Sequence, residues 1–378
     1  MPAQPKPFYA KLGSILLMLC LIGFIIYIGQ DIIVPLAFAA LLAILLLPVN
    51  NFLERKGCSR VFATLLSLTF STILIGGIIY FLSSQIAKFM GDIPAIKQHL
   101  AEHVRTLQNW ISHQFKISRV EQTTIINSAT QKINDPDVLG TTFISLTQGL
   151  MAMILIPVYS FLILYYRDML RTFILSVFKP EHGEDVRAIL QSTKSIVQGY
   201  MTGLLIEMGI VAAINSLGFI LLGIKYAIFL GVLAAILNMI PYIGMLIAGL
   251  FCILITLSNS TNISDIVWVV VILTVVQFID NNIIMPKVVS SKVKVNALVS
   301  ILGVLIGAGL AGVSGMFLSI PAIAILKVIF DRIEEMKPWG RVLGDDITGT
   351  KRSRIYLKLE SIGHRFIPPT PVKPPKLE

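Results

Sequence analysis

Residues 226–257 read YAIFLGVLAAILNMIPYIGMLIAGLFCILITL, and the interpretation of this stretch decides the fold. One crossing of a bilayer takes about 20 apolar residues, so the run is too long for a single straight span. Its middle, Asn238-Met239-Ile240-Pro241-Tyr242-Ile243-Gly244, is built to interrupt a helix. Pro241 lacks a backbone donor and Gly244 has low helix propensity. A kinked span and a helical hairpin that enters and leaves on one face both fit. The run 297–330 poses the same choice, interrupted by Gly303, Gly307, Gly309, Gly312 and Gly315.

Around these two runs the chain is equally apolar. Hydrophobic residues are 55% of the 378, charged residues 14%, and mean hydropathy is +0.81. Ordinary soluble chains are roughly 25% charged. A soluble fold of this size could not cover so much apolar surface. The composition specifies a polytopic membrane protein and excludes most soluble enzyme classes. Further apolar runs cover residues 12–29, 32–49, 61–87, 141–166, 196–222 and 266–285. The first two are split only by Gln30 and Asp31, and predict a tight hairpin of spans. The fold class is therefore all-α: about six full spans plus two broken, re-entrant helical hairpins, with a small helical extramembrane insert.

Loop charges choose between the alternatives. Lys and Arg gather on cytoplasmic loops. Placing the N-terminus inside puts Glu54, Arg55, Lys56 and Arg60 inside as well, and residues 88–140 outside, where six basic and five acidic residues nearly cancel. A re-entrant hairpin at 226–257 then keeps Lys287, Lys292 and Lys294 inside, and a second one keeps the basic tail inside. The predicted organisation is three N-terminal spans (1–87), an extracytoplasmic helical insert (88–140), a transport core with both broken runs (141–335) and a basic, proline-rich cytoplasmic tail (336–378). The net charge of +10 is explained by such loops and predicts a lipid partner, not nucleic acid.

Polar groups at membrane depth are the candidate site; an ionisable one costs roughly 2.5–3.5 kcal/mol on insertion scales. Glu207 lies mid-span in the fifth run. Gln277, Asp280 and Asn281 lie toward the end of the sixth at three- and four-residue spacing, hence on one helical face. Asn238, Pro241 and Gly244 form the break in the first broken run. Irregular backbone within a bilayer survives only in protein or beside a cavity, where freed amides and carbonyls become ligand groups. Each residue also has a plainer role: Asp280 paired with Lys287 at the interface, Glu207 neutral beside Asn215, Asn238 as a helix cap, the glycines as a close-packing stripe. His99-Leu100-Ala101-Glu102-His103 matches the inverted zinc-protease pattern, but the insert is too short to enclose a protease site. Cys20, Cys58 and Cys252 are scattered, so no metal site is predicted. No nucleophile–base pair, phosphate loop or cofactor fingerprint occurs; neither enzyme nor cofactor is expected.

GVLAAILNMIPYIG at Gly231–Gly244, QFIDNNIIMPK at Gln277–Lys287 and GVLIGAGLAGVSGMFLSIP at Gly303–Pro321 occur in that order, with YYRD at Tyr165–Asp168. Together they resemble the hallmark blocks of the AI-2E (autoinducer-2 exporter-like) family, over roughly residues 12–335. The resemblance implies a bacterial inner-membrane transporter. Some members export the signal autoinducer-2 and others act as sodium(lithium)/proton antiporters; members assemble as homo-oligomers, with pentamers implied. Where many members carry a proline after the Pro-Lys motif, this chain has Asn296-Ala297, a departure that bears on substrate rather than fold. The leading expectation is a secondary transporter exporting a small polar solute, with both termini cytoplasmic. A sodium(lithium)/proton antiporter using Asp280 or Glu207, and a non-transporting membrane scaffold, are the rivals.

Overall fold

The computed structural model describes residues 8–91, 154–240, 243–259, 263–289 and 295–344. The insert beyond residue 91, the HxxEH pattern at 99–103, Pro241, Ser290, Lys292, Lys294 and the tail after Gly344 lie outside the described residues. Among those described, every regular element is a helix. In chain order they are α1 (Phe8–Ile28), α2 (Gln30–Arg55), α3 (Arg60–Gly91), α4 (Ile154–Tyr165), α5 (Arg167–Val177), α6 (Gly183–Leu221), α7 (Ala227–Asn238) and α8 (Ile243–Asn259). Then follow α9 (Ile263–Ile279), a π-helical turn (Asp280–Ile284), α10 (Met285–Val288), α11 (Ala297–Arg332) and α12 (Lys337–Leu343). Among the described residues, five stretches are long and apolar enough to cross a membrane: Gln30–Arg55, Arg60–Phe89, Pro180–Leu221, Ser264–Val288 and Ala297–Arg332. The chain is an all-α polytopic membrane protein. Large apolar side chains such as Leu16, Phe24, Phe70, Ile73 and Phe278 stand exposed along its helices, as lipid contact requires.

The first broken run is a hairpin. Helix α6 ends in a Schellman turn: Ile224 N–H bonds Phe219 O at 3.0 Å and Gly223 N–H bonds Ile220 O at 2.9 Å, with Gly223 at φ 68°. Tyr226, at φ 65°, completes the reversal into α7. α7 then lies so close along α6 that any side chain at Gly231 would overlap Ser216. Past Asn238 the chain reverses again, and α8 returns beside α7. Ala227, Leu230 and Ala234 of α7 share one buried cluster with Ala248, Cys252 and Ile255 of α8. That shared core excludes a single kinked span.

The second broken run is also a hairpin, hidden inside the apparently continuous α11. Ala311 (φ −149°, ψ 29°) and Gly312 (φ 58°, ψ −140°) leave helical geometry and turn the chain back. The two arms meet backbone to backbone, since a Cβ on Gly307 would overlap the Gly315 carbonyl and one on Gly315 the Gly307 carbonyl. Small residues permit this approach where lipid removes any hydrophobic drive between helices.

One expectation fails. The first two runs do not form a hairpin. Only Gly29 (φ −86°, ψ 10°) separates α1 from α2, and backbone bonds continue through it: Gly29 N–H to Ile25 O at 2.8 Å, Ile33 N–H to Gly29 O at 2.8 Å. Reversing two helices takes a loop of about two to five residues. A single bridging residue produces a bend. α2 also runs on to Arg55, so Pro35 and Pro48 sit inside it rather than at its ends.

The remaining packing places the loops. Glu54 at the end of α2 accepts from Arg167 at 2.6 Å, and Arg60 at the start of α3 pairs with Asp168. The YYRD segment therefore binds the α2–α3 loop. Phe38 of α2 stacks on Phe317 of α11 with centroids 5.4 Å apart, and one groove is lined by Ile174 and Phe178 of α5 together with Ile329 and Arg332 at the end of α11. At the other side, Phe89 of α3 meets Tyr226 edge-on at 6.3 Å. The segments around Glu54, Arg167 and Arg332 thus share one face, and the α6–α7 turn occupies the opposite one.

Candidate functional site

The residues that decide the site converge on α6, the central helix. Its Leu41-facing surface (Val197, Tyr200, Met201, Leu204) packs against α2 and α11, and Val211 packs against α7 and α9. Gly203 lets Val288 come close: a Cβ there would lie 2.8 Å from the Val288 carbonyl oxygen. Between α6, the tip of α7, the π turn and the base of α11 lies a cavity of about 410 Å³. Its polar lining is Tyr200, Glu207, Asn238, Gln277, Asp280, Asn281 and Ser300, with Met239, Met245 and Met285 among the apolar walls.

Five sequence-predicted residues are therefore brought together: Glu207, Asn238, Gln277, Asp280 and Asn281. Asp280 is 2% exposed and Glu207 8%. Asn238 Nδ2 donates to Asp280 Oδ2 at 2.9 Å, so the residue at the hairpin tip holds the carboxylate across 42 positions of sequence. A hydrogen bond to a charged group contributes about 1.5–3 kcal/mol. The Glu207 and Asp280 carboxyls are themselves within hydrogen-bonding reach. A hydrogen bond between two carboxyl groups needs one proton held by the pair, because a carboxylate can only accept. Among the described residues, no hydrogen-bond donor reaches Asp280 Oδ1. Gln277 Nε2 donates to Asn281 Oδ1 at 3.0 Å, the contact expected from their four-residue spacing.

Several plainer roles are overturned. Asp280 is bonded to Asn238 and not to Lys287, which is exposed. Glu207 is buried beside a polar neighbour, as its plainer role has it, but the neighbour is Asp280 rather than Asn215. Asn238 bonds a carboxylate across helices rather than capping its own. Asn215 lies deeper, against a second chamber of about 30 Å³ that it shares with Asn238 and Gln277, roughly the room of one water. Gly244 does not line the cavity. Its Cβ would overlap the Leu237 carbonyl, so its role is to let α8 begin directly over the end of α7. Pro241 lies outside the described residues.

Three features escaped the sequence. The chain widens into a π turn at Asp280–Ile284, which rotates Asp280 inward while Asn282 points out and bonds Phe278 O at 2.8 Å. π-helices occur mostly as single-turn bulges inside α-helices, frequently at functional sites. The signal was Asp-Asn-Asn within an apolar helix, but no spacing rule separates a π turn from an α turn in advance. Tyr200 and Ser300 enter the cavity from helices whose facing only tertiary packing sets. Asn296, noted for replacing a proline-bearing pattern, caps α11 by accepting from Val299 N–H at 2.8 Å. It also donates to Val342 O at 2.5 Å and Gly344 O at 3.1 Å, tying α12 to the hairpin base.

The model of the family described as "AI-2E family transporter" matches residues 15–335. A Bacillus subtilis protein named "Putative transport protein YrrI" is 26% identical, over 82% of this chain and 88% of its own length. The Escherichia coli protein "Putative transport protein YhhT" is 23% identical over 87% of this chain and 92% of its own. "Putative permease PerM" of Escherichia coli is 26% identical over 83% and 91%.

Proposed function

The chain belongs to the AI-2E transporter family, and from that premise we propose that it is a bacterial inner-membrane secondary transporter that exports a small polar solute. The observation that carries this reading is the cavity beneath the α7–α8 tip. Its volume of about 410 Å³ falls within the range of small-molecule pockets, about 300–1,000 Å³, and is far roomier than a bare ion needs. Amides, a phenol, a hydroxyl and two carboxyls line it in different directions, which suits a solute rich in hydroxyl or carbonyl groups. Val295 and Ser300 at the base of α11 belong to the same lining, so the cavity extends toward the face that carries Glu54 and Arg332. Positive-inside placement makes that face cytoplasmic, with the C-terminal tail. The N-terminus, with Lys6 and Lys11, is expected on that face by the same rule. No enzymatic step is assigned to the site. The homo-oligomer, with five copies implied, comes from the family resemblance; native mass spectrometry of the purified protein tests it.

In this reading the Glu207–Asp280 pair is the coupling element. It holds a proton in one state and releases it when the solute or a competing cation takes up the Asp280 oxygens. The same pair supports the rival, a sodium(lithium)/proton antiporter, through Asp280 Oδ1, which no donor among the described residues reaches. Flux in proteoliposomes at controlled pH separates the two. Movement of a sugar-like signal, weakened and without proton coupling in Asp280→Asn, supports the exporter. Sodium- or lithium-driven proton flux that vanishes in Asp280→Asn supports the antiporter. Wild-type flux with an unchanged pH profile in both Asp280→Asn and Glu207→Gln rejects both, and leaves the scaffold reading.

A further inference from the structure

Away from the transport cavity, a larger groove of about 680 Å³ lies between α5, the first turns of α6 and the end of α11. Its floor is apolar, formed by Ile174, Phe178, Val186, Ile189, Ile329 and Ile333. Its charged groups are Asp185, Glu334 and Glu335 against Arg332, with His182 beside them. Glu334 is already paired with Lys337, which leaves Asp185 and Glu335 as the acids facing outward. The adjoining α6 sequence carries Glu184, Asp185, Arg187 and Lys194, so the groove stands outside the hydrocarbon layer.

An apolar floor with an acidic rim is complementary to one segment of this chain. Residues 351–366 read KRSRIYLKLESIGHRF. Ile355, Leu359, Ile362 and Phe366 recur at the spacing of one helical face. Lys351, Arg352, Arg354, Lys358 and Arg365 surround them, with Glu360 the one acid. Reach is sufficient. Gly344 sits against Lys327, with a Cβ there 3.0 Å from the lysine Cε, and Lys327 is six residues, about 9 Å, from Ile333 along α11. The spacer 345–350 spans up to about 20 Å when extended. We propose that the C-terminal segment 351–366 docks in this groove as an intramolecular strap, its apolar face on Ile189 and Ile333 and its basic residues on Asp185 and Glu335.

The strap would join α6, which carries Tyr200 and Glu207, to α11, which carries Ser300 and Ile320, at their shared end. The docking itself does not depend on the transport reading. It is tested in the full-length protein with Cys20→Ser, Cys58→Ser and Cys252→Ala as background, adding Ile189→Cys and Leu359→Cys. In detergent micelles free of anionic lipid, a short bismaleimide should join the two within one chain. Reversing the rim with Asp185→Lys and Glu335→Lys should lower the yield roughly tenfold, the size expected for two surface ion pairs turned into repulsions. Adding Arg352→Glu and Lys358→Glu should restore it, and an unchanged gel-filtration position confirms folding. A product at twice the monomer mass would assign the groove to another copy's tail. Absence of the product in micelles, with the segment shielded only when anionic vesicles are added, would assign the segment to the bilayer surface. A yield indifferent to charge reversal would also overturn the proposal.

Discussion

The two helical hairpins, α7–α8 and α11, have the same outline and opposite chemistry. The first turns over at Asn238, sends that amide to Asp280 and forms the ceiling of a polar cavity. The second turns at Ala311-Gly312, carries no charged residue between Ala297 and Leu326, and closes on Gly307 and Gly315. Each reverses inside the membrane-spanning part of the chain, where unsatisfied backbone is expensive. The first offsets that cost with polar side chains that also build a site. The second does so with contact distance, its arms pressed together until backbone meets backbone. A break in a membrane helix therefore does not identify a binding site; the side chains at the break do.

The comparison breaks or holds first on sidedness. Cysteines replacing Ser258 and Ser290 should label from opposite faces, Ser258 outside and Ser290 inside, an all-or-none difference read with an impermeant maleimide in intact cells and inverted vesicles. Labelling of both from one face would mean that the two hairpins do not enter from opposite sides.

Next in size is the packing difference. Gly315→Leu forces a side chain against the Gly307 carbonyl and should cost about 1–3 kcal/mol or more of stability, seen as a lower melting temperature in detergent. Gly309→Ala meets nothing within 4 Å and should be neutral or stabilise by up to about 1 kcal/mol. Equal losses at both positions would mean the arms are not in register at Gly307–Gly315. At the first hairpin, Asn238→Leu should instead cut flux severely while the protein still assembles, because what it removes is the Asp280 partner.

The smallest effect sharpens the role of the second hairpin's base. Asn296→Ala removes the α11 cap and should lower stability by about 1 kcal/mol. It should also free α12, since the same side chain holds Val342 and Gly344 carbonyls. Faster proteolysis near residue 344 checks that second consequence.

Much of this was legible in the chain itself. Composition determined that the solvent is lipid, because no soluble fold hides 55% hydrophobic residues with 14% charged. Pro241 and the glycine cluster marked both breaks, and loop lysines favoured hairpins over kinks. Spacing put Gln277, Asp280 and Asn281 on one face. The cost of polar groups at depth singled out Glu207 and Asn238. These signals are local or additive, so they survive in one dimension. The rest depended on distances between segments or on a few degrees of backbone, which packing alone sets. Gln30-Asp31 suggested a turn, yet Gly29 keeps its helical bonds and α1 bends instead of reversing. Gly244 was placed in the site by proximity in sequence, but its missing Cβ serves the crossing over Leu237. The π turn, the Glu207–Asp280 pairing and the salt bridges from Arg167 and Arg60 join residues through packing. No residue type announces such a meeting, because whether two helices face each other is settled by every other helix in the bundle.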